Sequence, residues 1–391
     1  MKLDKNLWIL IFVCVINSLG FGIIVPLIYS YGKKFGINEQ TVGILTASFS
    51  IAQFFATPLL GALSDKWGRK PVLVISLIGT CASFFLFATA RSVIILFAAR
   101  ILDGLTGGNI SVAQAMISDT STNEDRAKKF GILSSAFGFG FVIGPALGGL
   151  LSKYGLQVPF YFAAGIALIG ALAAAFLLKE TNDKKQEKEG KEKKSFTFSS
   201  IITALKMPVI GTAVFIGFLL TMAQFTMIIG FQTYSVDGLK LNPQNVGLLY
   251  AGFGVTGILM QLCVPLFEKI FPSKSVILMW STVLCLGAMF LAGFMTAIFT
   301  FIACIYVYGL FNGLRNPMLN AIIANQNDEE RQGEILGVNQ SYASIGQTLG
   351  PIAAGLVTTI SAHAPFFLSA LFILAGFLLT FRLKRKEQQN S

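Results

Sequence analysis

Charge is what this chain has least of. Of its 391 residues only 13% are Asp, Glu, Lys or Arg, about half the share in an average soluble domain. Histidine occurs once, as His363. The five cysteines (Cys14, Cys81, Cys263, Cys285, Cys304) all lie in apolar runs without metal-ligand spacing. They are expected to be free thiols acting as small hydrophobes, and no metal is expected. There is no phosphate-binding loop, because Gly104-Leu105-Thr106-Gly107-Gly108 is not followed by Gly-Lys-Ser/Thr. There is no Ser/His/Asp set. These absences argue against an enzyme and against a resident cofactor. The lack of a large soluble stretch argues against a receptor.

What the chain has in excess is apolar length. Hydrophobic residues make up 54% and the mean hydropathy is +0.70, so lipid is the expected solvent. At roughly 20 residues per crossing, twelve segments emerge: 7–29, 41–62, 71–90, 93–118, 129–152, 157–178, 208–234, 243–267, 275–295, 297–322, 335–360 and 364–383. The first is too long, and too poor in a cleavage site, to be a signal peptide. The net charge of +11 is unevenly placed. With the N-terminus inside, the inner segments hold 23 Lys and Arg, whereas the outer loops hold only Lys33, Lys34, Arg91, Lys153 and Lys240. This asymmetry predicts a multi-pass protein of the inner or plasma membrane with both termini cytoplasmic, and it excludes a nucleic-acid partner.

Residues 179–206 interrupt the apolar pattern with a Lys/Glu-rich run, read as a solvated cytoplasmic linker. They separate residues 1–178 from 207–391, six spans on each side. The halves echo each other. Gly131 and Gly144-Pro145 recur as Gly337 and Gly350-Pro351, and Ile117-Ser118-Asp119 recurs as Ile323-Ala324-Asn325, all at an offset of 206. The expected fold is an all-α membrane protein of 12 transmembrane helices in two pseudo-symmetric six-helix bundles.

Between the second and third spans sits Gly61-Ala62-Leu63-Ser64-Asp65-Lys66-Trp67-Gly68-Arg69-Lys70. Two glycines, Gly61 and Gly68, suit a sharp reversal, and Asp65, Arg69 and Lys70 are available for charged hydrogen bonds at helix ends. The order G-x-L-S-D-x-x-G-R-K resembles the signature of the loop between helices 2 and 3 in the major facilitator superfamily. The resemblance implies a latch formed by Asp65 and Arg69 with Asp119 at the inner end of span four and a partner near span eleven. A plain topology signal is the other reading of these charges.

The fifth span reads Gly140-Phe141-Val142-Ile143-Gly144-Pro145-Ala146-Leu147-Gly148-Gly149. It resembles the antiporter signature of the drug–proton exporter branch of that superfamily. Gly140, Gly144 and Gly148 recur every four residues and offer a smooth face for close packing, which is the simpler role. Asn17 to Pro26 resembles the first-span motif of the same branch, with Asn17 where that motif has an acid. Residues 1–178 thus look like the group that contains tetracycline exporters and bacterial multidrug exporters. The second half matches more loosely, and Asn312 again occupies an acidic position.

The fourth span carries Arg100, Asp103, Gly104, Gly107, Ser111 and Gln114 at three- and four-residue spacing, one polar and small face. Asp103 is the one carboxylate placed well inside a span, and such charges are costly and commonly functional. It either carries a coupling proton or neutralises Arg100. Burial opposes its charge and Arg100 favours it, a competition that suits a group taking up and releasing a proton. The tenth span shows Asn312, Asn316 and Asn320, with Arg315 beside them. The eleventh shows Gln340, Ser344 and Gln347. No acid lies within spans seven to twelve, apart from Glu334 at a helix end. Asn17, Gln53, Asn109, Ser111, Gln114, Gln224, Asn312, Arg315, Asn316, Gln340 and Gln347 are the candidates for lining a wet substrate cavity, or for holding helices together. Arg315 is open to three roles: substrate contact, partner of a carbonyl, or helix-end charge. Phe218 and Phe225 flank Gln224 and could stack on a drug or simply pack. The leading functional expectation is proton-coupled export of amphipathic small molecules by a monomer. The alternative is a metabolite or sugar exporter or facilitator of the same fold.

Overall fold

A computed structural model describes residues 5–121, 123–182, 207–325 and 332–390. In lipid every backbone N–H and C=O needs an internal partner, so the apolar runs become helices. Those of the first half are α1 (Lys5–Gly32), α2 (Glu39–Trp67), α3 (Arg69–Ala88), α4 (Val93–Thr106), α5 (Asn109–Asp119), α6 (Asn123–Leu151) and α7 (Val158–Leu177). Then follow α8 (Pro208–Thr233), α9 (Pro243–Leu262), α10 (Val264–Ile270), α11 (Lys274–Ala292), α12 (Ile298–Asn312), α13 (Arg315–Asn325), α14 (Gln332–Thr358) and α15 (Ala364–Asn390). Joined as α4–α5, α9–α10 and α12–α13, they make twelve rods among the described residues, the number expected. Eleven are long and apolar enough to cross a bilayer among the described residues. The remaining one, α14, is diluted by Gln340, Ser344 and Gln347.

Local chemistry sets the helix ends. Asn38 caps α2, its side-chain oxygen accepting from the Thr41 N–H at 2.9 Å. Asn242 does the same for α9, accepting from the Asn245 N–H at 2.8 Å. Ser92 and Ser273 cap α4 and α11 in the same way. Pro159, Pro208 and Pro265 sit in first turns, where their missing N–H costs nothing.

Three expected spans prove to be broken. The fourth stops at Gly107-Gly108, the eighth at Cys263 and the tenth at Gly313-Leu314. The Gly104-to-Gln114 stripe therefore lies on two helices, not on one face. The turn at 61–70 is also smaller than expected. Helix α2 continues to Trp67, so Gly61 is an ordinary helical residue with open space at its Cβ position. Gly68 alone makes the reversal, at φ 105°. Cys263 is exposed at its break, and all five cysteines are free.

Contacts divide the chain into two compact units. One comprises Met1–Ile37, Ser48–Lys194 and Asn242–Ala251, and the other Asn38–Ala47, Ser195–Leu241 and Gly252–Ser391. In the first, α1 lies along α6 through glycine contacts. A Cβ on Gly144 would stand 2.7 Å from the Leu19 carbonyl oxygen. In the second, α8 lies along α14 in the same manner, with Gly350 against the Met222 carbonyl oxygen. A core of Leu10, Val13, Leu73, Leu77, Val112 and Met116, among others, fills the first unit. Trp8, Phe55, Leu59, Ile94, Phe176 and Phe299 remain exposed, as side chains facing acyl tails would be.

Candidate functional site

Arg100 and Asp103 occupy successive turns of α4 and meet at 3.0 Å, with Arg100 2% exposed and Asp103 8%. The spacing of three puts both on one helical face. Two elements close around the pair. From α3, the Ser83 hydroxyl donates to the second Asp103 oxygen at 3.3 Å. From α2, the ring of Phe49 lies 4.3 Å beneath the Arg100 guanidinium, a cation–π contact. Gly104 explains the close approach of α2, since a Cβ there would strike the Phe49 carbonyl oxygen and Ala52. The Arg100 Nε has no hydrogen-bond partner among the described residues. Two buried charges thus depend on each other, and removing either would strand the second at a cost of about 3–5 kcal/mol.

The break after α4 is a polar junction. The Gln53 amide donates to the freed Gly107 carbonyl at 3.1 Å. Asn109, the first residue of α5, is fully buried and accepts from Asn17 of α1 at 2.6 Å. Ser111 turns back onto the Gly108 carbonyl, and Gln114 is exposed. The other half repeats the arrangement at the 206-residue offset: α13 begins at Arg315, as α5 begins at Asn109. Arg315 donates to the Gln224 side-chain oxygen of α8 at 2.8 Å and to that of Asn316 at 3.2 Å. Arg315 thus meets amide carbonyls and also stands at a helix end, two of the three roles left open for it. Asn312 shares a small cavity with it. Asn316 and Gln340 are exposed, and Gln347 is half-buried. Phe225 is buried with its Cβ against Gly350, a packing contact. Phe218 stacks on Phe215 at 5.6 Å.

At the far end of α2, the buried Arg69 gathers a third group. It meets Asp65 at 2.6 Å and Asp119 at 3.0 Å, and donates to the Ser64 hydroxyl at 2.6 Å. Residues after α7 close over it. Glu180 accepts the backbone N–H groups of Arg69 and Lys70, and Asn182 donates to the Asp65 carbonyl. The beginning of the expected solvated linker is therefore docked, and 183–206 lie outside the described residues. Ser64, Ser83, Phe49, Glu180 and Asn182 were not legible as site residues. The Ser64 position within the loop signature was the one available signal.

The glycine signature of α6 faces α1. Gly140 meets Ser18, Gly144 meets Leu19 and Gly22, and Gly148 meets Ile23, while the Pro145 ring lies against Gly22. Gly149 points away, toward Gln244 and Gly247.

Residues 10–279 and 214–391 match the Major Facilitator Superfamily. The chain belongs to that superfamily. Quinolone resistance protein NorA of Staphylococcus aureus (strain MSSA476) is 26% identical over 99% of this chain and 100% of its own. Multidrug resistance protein 2 of Bacillus subtilis (strain 168) is 28% identical over 94% and 92%. Tetracycline resistance protein class C of Escherichia coli is 29% identical over 93% and 92%. Among solved structures, a bacterial homologue of the human lysosomal transporter Spinster, inward-facing and unoccupied, superposes with TM-score 0.80 at 14% identity, over 98% of each chain. As a superfamily member the chain is a multi-pass membrane protein of a transporter class. Its loop signature and glycine signature occupy the Arg69 corner and the α1–α6 contact.

Proposed function

We propose that the chain is a secondary active transporter that exports amphipathic small molecules in exchange for protons by alternating access. The observation that carries this reading is the Arg100–Asp103 pair. It places a carboxylate, poised between burial and a single cation, in a span of a chain whose relatives are drug resistance proteins. When Asp103 takes a proton on one oxygen, its attraction for Arg100 is lost while the Ser83 contact remains. The proton thus changes the energy of packing α4 against α2 and α3, the coupling that exchange needs. The Lys and Arg distribution supports an inner or plasma membrane location with both termini cytoplasmic. The protein acts as a monomer.

The test is transport in proteoliposomes under an imposed pH gradient, with cationic dyes, neutral drugs and sugars as cargo. Asp103→Asn is expected to abolish pH-driven dye movement per unit of reconstituted protein. Persistence of substrate-driven proton movement in that variant would remove Asp103 from the mechanism. The amide-lined Arg315 supports a second reading, a metabolite or sugar exporter. Sugar flux without proton movement would favour it.

A further inference from the structure

Three arginines are buried among the described residues: Arg69, Arg100 and Arg315. The first two meet carboxylates at 3.0 Å or closer. Arg315 is 7% exposed, and its observed partners are the amide oxygens of Gln224 and Asn316, which are neutral. One of its terminal nitrogens, Nη1, is buried with no hydrogen-bond partner among the described residues. Arg315 is also the first residue of α13. A cation there sits at the positive end of the helix dipole, the unfavourable end. A buried charge without a counter-charge is costly enough that native proteins pair it. Something must balance this one.

The space beside it fits that need. Arg315 borders a cavity with Tyr308 and Asn312, whose hydroxyl and amide groups can donate, with Ser281 and Thr282, whose hydroxyls donate to the Leu278 carbonyl, and with apolar walls from Leu220 and Ile373. The space admits about one water-sized group, room for one small halide or for a single carboxylate oxygen of a larger molecule. A buried guanidinium with an unpaired N–H, beside the Tyr308 hydroxyl and the Asn312 amide on one small space, makes an anion site.

We propose that the second unit binds a monovalent anion at Arg315, either a halide or the carboxylate of an amphipathic cargo. Gln224 holds the guanidinium while Nη1 meets the anion. This site is separate from the proton-coupling assignment and does not depend on it.

The test uses the purified full-length protein in nanodiscs and reads thermal unfolding by intrinsic fluorescence. The buffer is sodium gluconate at constant ionic strength, exchanged stepwise for sodium chloride. In a second arm, 2-naphthoate is compared with its methyl ester. Chloride, naphthoate or both should raise the Tm by at least about 2 °C well above the dissociation constant, and the ester should not. A chloride response identifies a free inorganic ion, and a naphthoate response alone identifies a cargo carboxylate. Gln224→Glu supplies a built-in counter-charge, and Arg315→Gln removes the need for one. Each should cut the response by more than half, so either serves if the other fails to fold. The proposal is overturned if no anion raises the wild-type Tm, if the ester alone matches naphthoate without a chloride response, or if both variants respond as fully as the wild type.

Discussion

Glu180 receives the backbone N–H of Arg69 on one carboxylate oxygen at 2.9 Å and that of Lys70 on the other at 3.1 Å. A side chain from beyond α7 therefore caps α3 across 111 residues of chain. It supplies an acceptor to the orphan donors that begin every helix. Burial by itself would raise the Glu180 carboxyl. The backbone donors of Asn182, Arg69, Thr181 and Lys70 outweigh it and hold the group below the ordinary glutamate value. A carboxyl depressed on folding stabilises above the unfolded value, about 4.3, and its contribution is lost as pH falls through the lower folded value. Glu180→Ala should cost about 0.5–2 kcal/mol, the range for loss of a helix cap. The deficit, read as Tm against pH, should be constant near neutrality and shrink below about pH 4. A deficit that grows on acidification would contradict the capping role.

The two glycines of the 61–70 stretch should respond in opposite ways. Gly68 sits at φ 105°, and a Cβ there would lie 2.6 Å from a Glu180 oxygen. Gly68→Ala faces both a forbidden backbone and the displacement of the α3 cap, so folded protein and transport should fall together. Gly61 is within α2 with nothing near its Cβ position. Gly61→Ala should be neutral or raise stability by up to about 1 kcal/mol, the propensity difference in a helix interior. Thermal unfolding of the two variants side by side decides it.

Arg69 has two carboxylate partners in unequal settings. The Asp65 side chain is 60% exposed and that of Asp119 is 22%. Exposed ion pairs contribute roughly 0–1 kcal/mol, so the more shielded Asp119 should matter more. Asp119→Asn is expected to slow transport more than Asp65→Asn. Arg69→Ala, which also strands Asp119 and frees Ser64, should slow it most. Each variant should still be inserted in the membrane. Equal rates in all three, at equal protein content, would refute a latch at this corner.

Much of the fold was legible because lipid imposes a single rule: a crossing needs about 20 apolar residues. The runs 71–90 and 157–178 correspond closely to α3 and α7. The internal repeat was legible through a few glycines and prolines, and the structure extends it to whole elements, α5 and α13 matching end for end. The breaks inside spans four, eight and ten were not legible. Hydropathy averages over a window and does not register two residues whose freed carbonyl is taken up by a distant side chain, as Gln53 does for Gly107. The Arg100–Asp103 pair was readable from its spacing of three, which any helix brings together. Phe49, Ser83 and Glu180 join their groups through tertiary contacts that no local pattern encodes. Asn17 and Asn109 were both candidates for a wet cavity, and they are bonded to each other.

The repeated glycines separate by environment rather than by motif, and this gives a sharp test. Gly144 on α6 approaches the Leu19 carbonyl oxygen and Gly22 on α1, and Gly350 on α14 approaches the Met222 carbonyl oxygen and Phe225 on α8. A methyl group at either position would press on backbone, which cannot rotate away. Overpacking of this kind costs about 1–3 kcal/mol. Gly131 and Gly337, the other repeated pair, have nothing within 4 Å of a Cβ. They lie within the same two helices, so helix propensity alone applies to them. Gly144→Ala and Gly350→Ala should therefore lower the Tm, and by similar amounts because the two contacts are equivalent. Gly131→Ala and Gly337→Ala should leave it unchanged or raise it slightly. If the α6 glycines served exchange through some property other than close packing, Gly144→Ala would impair transport at an unaltered Tm. Measuring both quantities on the same four variants distinguishes a packing face from a separate antiport device.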